Sequence, residues 1–540
     1  MGFVRAAIVA LLRQIGKELG LDLGAGASEK RRSQFLKGFT MYDANYLISR
    51  LHAASVGQET RNFARIPQRA SMTFGELFAG AERMAGALVD LGLEPGDRVA
   101  VQVEKTIEAI QLYLGTVMAG GVFLPLNTAY TTAEVSYFLG DATPRVVVCD
   151  PARAEAIATV AGAAKVMTLD AKGRGTMEEA VVGRGGFTPV ARGADDLAAI
   201  LYTSGTTGRS KGAMLSHKNL ASNSEMLRDY WQFTKSDTLI HALPIFHTHG
   251  LFVATNVALL AGASVEFLAR FDADQIIEAM PRATAMMGVP TFYTRLLDDP
   301  RLTKDRAANM RLFISGSAPL LVDTHEKWED RTGHRILERY GMTETNMSTS
   351  NPYDGERRAG TVGFPLPGVE ARIRNEGEVV PAGEIGVLEV RGDNVFQGYW
   401  QMPEKTAEEL LPDGWFITGD LAKVDEDGYV TIVGRSKDLV ITGGFNVYPK
   451  EVEALIDDMP GVKESAVIGV PHPDFGEAVV AVVVPEGEGT STEAIAAGLV
   501  EQLAKFKQPK TVILLDELPR NTMGKVQKKA LREEYAGLFA

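Results

Sequence analysis

The sequence predicts an α/β protein of at least two domains. Segments with a helical period alternate with short apolar runs from residue 70 onward, which is typical of helices packed on mostly parallel sheets. Hydrophobic residues make up 45% of the chain and charged residues 23%, as in ordinary globular proteins. A chain of 540 residues is too long for a single hydrophobic core and is expected to divide.

The predicted elements follow one another in a regular order. A helical pattern begins at residue 72 and runs to residue 93, and a second one spans residues 107–118. The apolar runs that we interpret as strands lie at residues 98–103, 120–126, 144–150, 197–201, 237–244, 263–268, 283–290 and 428–433. Polar loops follow several of these runs, and ligands of such sheets bind where strands end.

The best predicted domain boundary lies at residues 434–437. A strand pattern closes just before it, and a compact segment with βα character follows, of about 100 residues. We therefore predict one domain over residues 41–434 and a smaller one over residues 435–540.

The charge and the cysteine count exclude several classes of protein. A net charge of −13 disfavours a nucleic-acid binder, which usually carries a basic surplus. The single cysteine, Cys149, excludes a disulfide framework and a cysteine-rich metal site, and the apolar run around it indicates a packing role. No stretch reaches the ~20 apolar residues of a membrane span, so no stable membrane insertion is expected.

Residues 1–40 are basic and amphipathic at their start. An apolar run at residues 6–12 lies between Arg5 and Arg13, and no acidic residue precedes Glu18. This pattern is compatible with a transit peptide. The favoured interpretation is an extension upstream of Met41, which predicts a cytoplasmic protein; a mitochondrial or other organelle matrix is the alternative.

The most informative run is YTSGTTGRSKGA at residues 202–213, directly after an apolar run. Glycines let backbone N–H groups approach an anion, and Ser and Thr hydroxyls add donors. Arg209 and Lys211 add positive charge, so the loop is predicted to hold phosphates. Ser210 stands where a Walker A loop has its second glycine, so this is a different type of loop. A flexible Ser/Gly linker is the less favoured alternative.

This run resembles the phosphate-binding signature of the adenylate-forming superfamily, which contains acyl-CoA synthetases, luciferases and peptide-synthetase adenylation domains. Further motifs follow in the superfamily's order: YGMTET at residues 340–345, GWFITGD at 414–420, GRSKDL at 434–439 and PRNTMGK at 519–525. The resemblance extends from about residue 41 to the end of the chain. It implies a large multi-sheet N-terminal domain and a small mobile α+β lid domain, with the hinge at Lys437.

The resemblance implies an acid–thiol ligase that uses ATP and coenzyme A. A carboxylate attacks the α-phosphate to give an acyl-adenylate and pyrophosphate, and a thiol then displaces AMP. The substrate supplies the nucleophile, so catalysis is expected to rest on positioning and charge neutralisation. Lys525 is implied to bridge the carboxylate and the α-phosphate, and Thr343 to bind the α-phosphate. Glu344 and Thr203 are implied to hold Mg²⁺.

The resemblance also implies which residues bind the nucleotide. Asp420 is expected to accept hydrogen bonds from the ribose, with Arg435 assisting, and Tyr340 to stack on the adenine. The other expected ATP-binding residues are Thr203, Ser204, Gly205, Thr206, Thr207, Gly208, Lys211, Gly316, Ser317, Ala318, Glu338, Arg339, Gly341, Thr343 and Lys525. The alternatives are a helix-capping role for Glu344 and a turn role for Asp420.

Thioester formation is implied to require rotation of the lid. Gly443 and Gly444 would then line the pantetheine tunnel, where side chains would block it. Lys507, with Lys505 and Lys510, is expected to contact the phosphates of coenzyme A or to be merely exposed. Lys525 is also an expected target of a lysine acetyltransferase, since acetylation would remove its charge.

The acyl pocket is expected to form from residues 241–250, 287–296 and 315–318. Arg295 is predicted just inside a helix that begins after Pro290, and a guanidinium near a helix N-terminus suits a second carboxylate. His247, His249 and Ser315 complete the expected carboxylate site, and His247 is also expected to gate the channel for coenzyme A. The substrate would be a short dicarboxylate. A surface or salt-bridged arginine is the alternative for Arg295.

The whole acyl-pocket pattern resembles the malonate-activating ligases of the superfamily, with methylmalonate as a secondary substrate. Three other functions stay open. The chain is alternatively a ligase for a monocarboxylate such as a fatty or aryl acid, a non-catalytic nucleotide-binding protein, or an enzyme that loads a carrier protein.

Overall fold

The computed structural model describes residues 42–203, 210–442, 445–487, 489–500, 502–521 and 524–539. The predictions for residues 1–40, for Ser204, Gly205, Thr206, Thr207 and Gly208, and for Gly443 and Gly444 fall outside these ranges. Within them the α-helices are α1 (Tyr46–Ala53), α2 (Phe74–Asp90), α3 (Ile107–Met118), α4 (Thr132–Ala142), α5 (Ala154–Ala158), α6 (Thr176–Val181), α7 (His217–Tyr230), α8 (Asn256–Ala261), α9 (Ala273–Ala279), α10 (Pro290–Leu297), α11 (Val322–Thr332), α12 (Pro403–Glu409), α13 (Pro449–Asp457), α14 (Thr492–Val500) and α15 (Lys528–Glu534).

The largest sheet has nine strands and carries most of the acyl-pocket segments. Its order is β15-β14-β13-β12-β11-β9-β10-β1-β2. The strands are β1 (Asn62–Arg65), β2 (Met72–Thr73), β9 (Thr238–His241), β10 (Ser264–Phe267), β11 (Ala285–Gly288), β12 (Leu312–Ser315), β13 (Leu337–Met342), β14 (Asn346–Ser350) and β15 (Phe364–Pro365). From β1 to β13 the neighbours are parallel, while β2, β14 and β15 pair antiparallel at the two ends.

A six-stranded sheet carries the phosphate run at one edge. Its strands, in the order β6-β5-β3-β4-β7-β8, are β3 (Arg98–Gln102), β4 (Val122–Pro125), β5 (Val146–Cys149), β6 (Lys165–Thr168), β7 (Leu197–Thr203) and β8 (Lys211–Ser216). All neighbours are parallel except β7 and β8. Cys149 is buried in β5, as its apolar surroundings predict.

Two five-stranded sheets complete the fold. The first is antiparallel, in the order β17-β16-β18-β19-β20, with β16 (Val369–Asn375), β17 (Glu378–Val379), β18 (Gly386–Gly392), β19 (Phe416–Val424) and β20 (Val430–Arg435). The second holds β21 (Val440–Thr442), β22 (Phe445–Val447), β23 (Val462–His472), β24 (Gly476–Pro485) and β25 (Thr511–Leu514), the last parallel to β24.

The hydrophobic core is divided between the two parts of the chain. One large cluster joins the helices and strands from Tyr42 to Val430, and a smaller one packs around β4 and α4. The last sheet has its own clusters, which are drawn from residues between Val440 and Phe539. The α/β class, with a large parallel-sheet part and a smaller C-terminal part, is therefore confirmed. In the described ranges no helix combines the length and apolar character needed to cross a bilayer.

Candidate active site

The phosphate run connects two paired strands at the edge of the six-stranded sheet. Thr203 ends β7 and Lys211 begins β8, and the two residues are directly opposite each other. The Lys211 ammonium lies 3.1 Å from a carboxylate oxygen of Glu409 in α12 and 4.0 Å from the centre of the Tyr399 ring. The structure therefore places both ends of the predicted phosphate loop and holds Lys211 in a defined position.

Glu344 is connected to this lysine through Tyr399. Glu344 follows β13, is 4% exposed, and accepts a hydrogen bond from the Tyr399 hydroxyl at 3.0 Å. The same hydroxyl lies 2.5 Å from Glu409. Because a phenol has one proton, it serves one of the two carboxylates at a time. Burial raises the pKa of Glu344, while Lys211 acts in the opposite direction. A buried carboxylate is stabilised by a nearby cation.

Lys211→Ala is expected to raise the KM for ATP by about 10-fold or more, because a charge-assisted contact to phosphate is worth about 1.5–3 kcal/mol. It should also lower stability slightly, because Glu409 loses one of its two ammonium partners, the other being Lys405 at 2.9 Å. Adding Glu409→Gln should restore the melting temperature but leave the KM raised. Recovery of both quantities in the double variant would show that Lys211 has no part in binding ATP.

Asp420 lies in β19 at the centre of a second polar group. It is 4% exposed and directly opposite Arg435 of β20, whose Nε lies 2.9 Å from its Oδ1. The Tyr340 hydroxyl donates to Oδ2 at 2.5 Å. Burial, followed by the charge of Asp420, raises the pKa of Tyr340. The structure thus brings together three residues that are predicted to bind ribose and adenine.

Lys525 belongs to a loop that contacts α10. A Cβ on the preceding Gly524 would lie 3.2 Å from side-chain atoms of Thr291 in the first turn of that helix. The Lys525 side chain is exposed to solvent. The pKa of its ammonium is nevertheless lowered, mainly by desolvation and next by the positive charge of Arg435. Asp420, Asp438 and Glu344 act in the opposite direction. The C-terminal loop therefore brings this ammonium into the field of the predicted nucleotide site.

Lys437 lies in a single 3-10 turn, Ser436–Asp438, directly after β20. The pKa of Lys437 is lowered to about 8, mainly by burial and next by the positive charge of Arg435, and the charge of Lys525 acts in the same direction. Asp438 also forms an ion pair at 2.8 Å with Arg532 of α15. Both the predicted hinge and the domain boundary at residues 434–435 stay predictions, and β20 extends through Arg435.

The predicted acyl-pocket histidines lie where β9 gives way to a π-helix at His249–Thr255. Burial lowers the pKa of His247 to about 4, and burial followed by Arg339 lowers that of His249. His249 Nδ1 lies 3.2 Å from the Ser317 hydroxyl, in the segment that follows β12. Ser317 has φ of 72°, an unusual conformation for a residue other than glycine. The structure therefore brings His249 together with the segment containing Ser315.

The predicted position of Arg295 at a helix N-terminus is wrong. The helix α10 has eight residues, and Arg295 lies in its last turn. The helix dipole there is negative, so it offers no support to an anion. The side chain is exposed, and its guanidinium lies 5.6 Å from the Phe271 ring. A role of Arg295 in binding a carboxylate stays a prediction that has lost its electrostatic argument.

Glu338 and Arg339 precede Tyr340 in β13 and are both buried. Glu338 lies 3.4 Å from His325 of α11, and burial raises its pKa. Arg339 points to the strand face opposite to Tyr340, because successive side chains of a strand alternate. Arg339 therefore projects away from the Asp420 group, and its role in binding ATP stays a prediction.

The remaining predicted residues have contacts, within the described ranges, that do not link them to the Asp420 or Glu344 groups. Lys507 forms an ion pair with Glu451 at 2.6 Å, Lys510 lies 4.9 Å from the Phe475 ring, and Lys505 is exposed. Gly341 is closely packed, since a Cβ there would lie 1.8 Å from the carbonyl oxygen of Asn346. Ala318 directly follows Ser317 beyond the end of β12.

Sequence reasoning missed Tyr399 and Glu409. Both residues are far in the sequence from the motifs that they contact. Glu409 and Lys211, for example, are separated by 198 residues. It also missed Lys105, whose buried ammonium lies 3.1 Å from His241 Nδ1. Tyr399 and Glu409 lie in a polar stretch of the sequence that gives no local signal of a site. Lys105 follows an apolar strand, and this position is a signal of a buried cation.

Known proteins with similar sequences support this picture. The model of the AMP-binding enzyme family matches residues 52–400, and that of the AMP-binding enzyme C-terminal domain matches residues 451–525. A malonate–CoA ligase from Arabidopsis thaliana is 33% identical, covering 92% of this chain and 91% of its own. A feruloyl-CoA synthase from Amycolatopsis sp is 36% identical, covering 86% of this chain and 94% of its own.

Solved structures give a closer match. MatB from Rhodopseudomonas palustris is 60% identical, with 92% of this chain and all of that chain covered. Its ATP-bound structure superimposes with a TM-score of 0.90 and its apo structure with 0.80. Because the sequence is the same in both, the present arrangement resembles the ATP-bound one more. The resemblance to adenylate-forming enzymes is confirmed, and this chain belongs to the AMP-binding enzyme family.

Proposed function

We propose that this chain is an ATP-dependent malonate–CoA ligase, which forms malonyl-CoA, AMP and pyrophosphate through a malonyl-adenylate. The observation that carries the proposal is the proximity of the Lys525 ammonium to Glu344 and to the Asp420–Arg435 ion pair, whose charges all act on its pKa. The substrate assignment is supported by the relative named malonate–CoA ligase, which is similar along nearly the whole chain.

The proposed chemistry has two steps. In the first, a carboxylate oxygen of malonate attacks the α-phosphorus of ATP, and the bond to pyrophosphate breaks. Lys525 would stabilise the charge that develops between these groups, and Thr343 would bind the α-phosphate. In the second, the thiol of coenzyme A attacks the acyl carbon and AMP leaves. No residue of the chain forms a covalent bond, so Lys525 and Arg435 act by position and charge.

Mg²⁺ belongs to the proposal. Among the described residues no group of three or more His, Cys, Asp or Glu side chains is arranged to hold a metal. Glu344 alone, with phosphate oxygens and water, fits the coordination that Mg²⁺ prefers. When bound, the ion would neutralise charge on the phosphates. The Thr203 hydroxyl, which lies 3.4 Å from the Lys211 carbonyl oxygen, is the other proposed contact.

Cellular location and modification complete the proposal. A cytoplasmic location is favoured, with an organelle matrix as the alternative if residues 1–40 act as a transit peptide. Lys525 is exposed, which would allow a lysine acetyltransferase to reach it in some arrangement of the lid. Acetylation would remove the charge on which adenylation depends.

The wild-type enzyme with Mg-ATP and coenzyme A is expected to prefer malonate to propionate by about 10⁴-fold in kcat/KM, because a site built for a polar group rejects an analogue that lacks it. Methylmalonate should be a poorer substrate than malonate. Pyrophosphate release, with malonyl-CoA identified by mass, measures this.

The same pyrophosphate-release assay, with other acids, tests the three alternative functions. Turnover of octanoate or ferulate in place of malonate would instead indicate a monocarboxylate ligase, like the relative named feruloyl-CoA synthase. Replacing coenzyme A with a phosphopantetheinyl carrier protein tests the third alternative. Absence of pyrophosphate release with every acid would indicate a non-catalytic nucleotide-binding protein.

A further inference from the structure

Glu453 is a buried carboxylate that the proposed mechanism does not use. It lies in α13 and is 6% exposed. One of its carboxylate oxygens lies 2.5 Å from the ammonium of Lys528 and accepts a hydrogen bond at 2.8 Å from the backbone N–H of Val467 in β23. Buried ion pairs are often no more stabilising than apolar side chains of the same volume. What this pair supplies is therefore a fixed connection between α13, β23 and the first residue of α15.

Lys528 opens α15 and follows Lys525 by three residues. The N-cap of this helix, Gln527, forms no side-chain capping hydrogen bond, and the first turn contains no acidic residue. An ammonium at a helix N-terminus interacts unfavourably with the helix dipole. Lys528 therefore does not stabilise α15 by itself, and its contact with Glu453 holds the start of the helix in place. The chain just before that start, which carries Lys525, is held with it.

The backbone of Lys525 is fixed within its own loop. Its N–H donates to the side-chain oxygen of Asn521 at 2.9 Å, and its carbonyl accepts from the Asn521 N–H at 2.9 Å. Arg520, at the start of the loop, donates to a carbonyl of the same loop and pairs with Glu464 of β23. The backbone of Lys525 is therefore tied to both ends of the loop. Two carboxylates hold those ends, Glu464 on one side and Glu453 on the other.

We propose that Glu453, acting through Lys528, is a positioning residue for Lys525 in adenylate formation. The inference rests on the proposed function, in which the Lys525 ammonium meets the carboxylate and the α-phosphate. That ammonium stabilises the transition state only if it reaches both groups, and a misplacement of about 1 Å can lower a rate by about 10²-fold. Glu464, through Arg520, is the second anchor of the same loop. The proposal predicts that Glu453 affects only the half-reaction that uses Lys525.

Glu453→Gln removes the charge and keeps an oxygen that can accept the Val467 N–H. Adenylate formation, measured as pyrophosphate release with malonate and Mg-ATP, should fall in kcat by about 10–10²-fold, with the KM for ATP little changed. Thioester formation from chemically prepared malonyl-adenylate should stay near the wild-type rate. A merely structural role in the packing of α13 would instead slow both half-reactions, because both depend on a folded C-terminal part.

Lys528→Gln breaks the same contact from the other side and serves if Glu453→Gln fails to fold. It should lower adenylation to a similar extent, and Lys528→Arg, which keeps the positive charge, should recover most of the rate. Lys529→Gln is the matched control, because Lys529 is the next residue of α15, its side chain is 63% exposed, and it contacts Glu533 of the same helix. This control should leave both half-reactions unchanged.

Combining these variants with Lys525→Ala decides whether Glu453 acts through this lysine. Glu453→Gln should slow adenylation in the wild type but add no further loss in Lys525→Ala. Three results would overturn the inference: unchanged adenylation in Glu453→Gln and Lys528→Gln, an equal loss in thioester formation, or a further loss of adenylation in the Lys525→Ala background.

A different result would count against the proposed function. Failure of the wild type to release pyrophosphate with malonate would refute the proposed substrate and leave the role of Glu453 to be decided by the same cycle, measured with the acid that the enzyme does activate. The two failures are therefore distinguishable.

Discussion

Replacing Lys525 with alanine is expected to slow adenylate formation by about 10²–10³-fold or more while ATP still binds. The ammonium of Lys525 lies in the combined field of Arg435, Asp420, Asp438 and Glu344. Its loop contacts the first turn of α10, so the position is set by packing between the C-terminal part and the larger part of the chain. Alanine removes the charge that stabilises the transition state and leaves the Asp420 group intact.

Pyrophosphate release with malonate measures the adenylation rate, and calorimetry measures ATP affinity. Thioester formation from chemically prepared malonyl-adenylate should stay near the wild-type rate, since it does not use Lys525. Lys529→Ala is the matched control, because Lys529 is 63% exposed and contacts Glu533 of its own helix. Persistence of adenylation in Lys525→Ala, or an equal loss in Lys529→Ala, would contradict the proposed mechanism.

Several helices and strands could be predicted from the sequence because the apolar pattern and the capping residues indicate the same structure. The predicted helix at residues 107–118 is α3, which begins after the N-cap Thr106 and is buried along its length. The helix predicted from residue 72 begins at Phe74, because the side chain of Thr73 forms a capping box with Glu76. Predicted strands extend beyond the observed ones by one to three residues at each end, as in β9 and β11.

One error arises where geometry depends on the length of an element. The sequence marks the start of the helix that contains Arg295 but not its end after eight residues, so the predicted position near the helix N-terminus is wrong. The role of Arg339 in binding ATP stays a prediction. Since Tyr340 was expected to face the adenine, alternation alone would have placed Arg339 on the other face.

The network that holds Glu344 could not be predicted from the sequence. The Tyr399 hydroxyl contacts Glu344, which is 55 residues away in the sequence. The same hydroxyl contacts Glu409, which lies in α12. Neither residue belongs to a motif, and their proximity depends on how α12 and the segment before it pack beside β8 and β13. Such contacts depend on tertiary packing, which leaves no periodic or local trace in the chain.

Glu344→Gln is expected to lower the adenylation rate by about 10²–10³-fold, the cost of removing one electrostatic contact to a developing charge. Glutamine has the shape of the native side chain and still accepts a hydrogen bond from Tyr399, but it lacks the negative charge that would hold Mg²⁺. The dependence of the rate on Mg²⁺ concentration should therefore become weaker. Glu409→Gln changes the other carboxylate on the same hydroxyl and should affect the rate less.

Acid should reproduce the effect of Glu344→Gln in the wild type. Burial raises the pKa of Glu344, so its carboxylate is lost at a less acidic pH than that of an exposed glutamate. The adenylation rate should fall as the pH drops through this raised pKa, whereas the variant, which has no group to protonate there, should lack this limb. An unchanged Mg²⁺ dependence in Glu344→Gln, with the acid limb preserved, would mean that this buried carboxylate serves the packing around Tyr399 and not the metal.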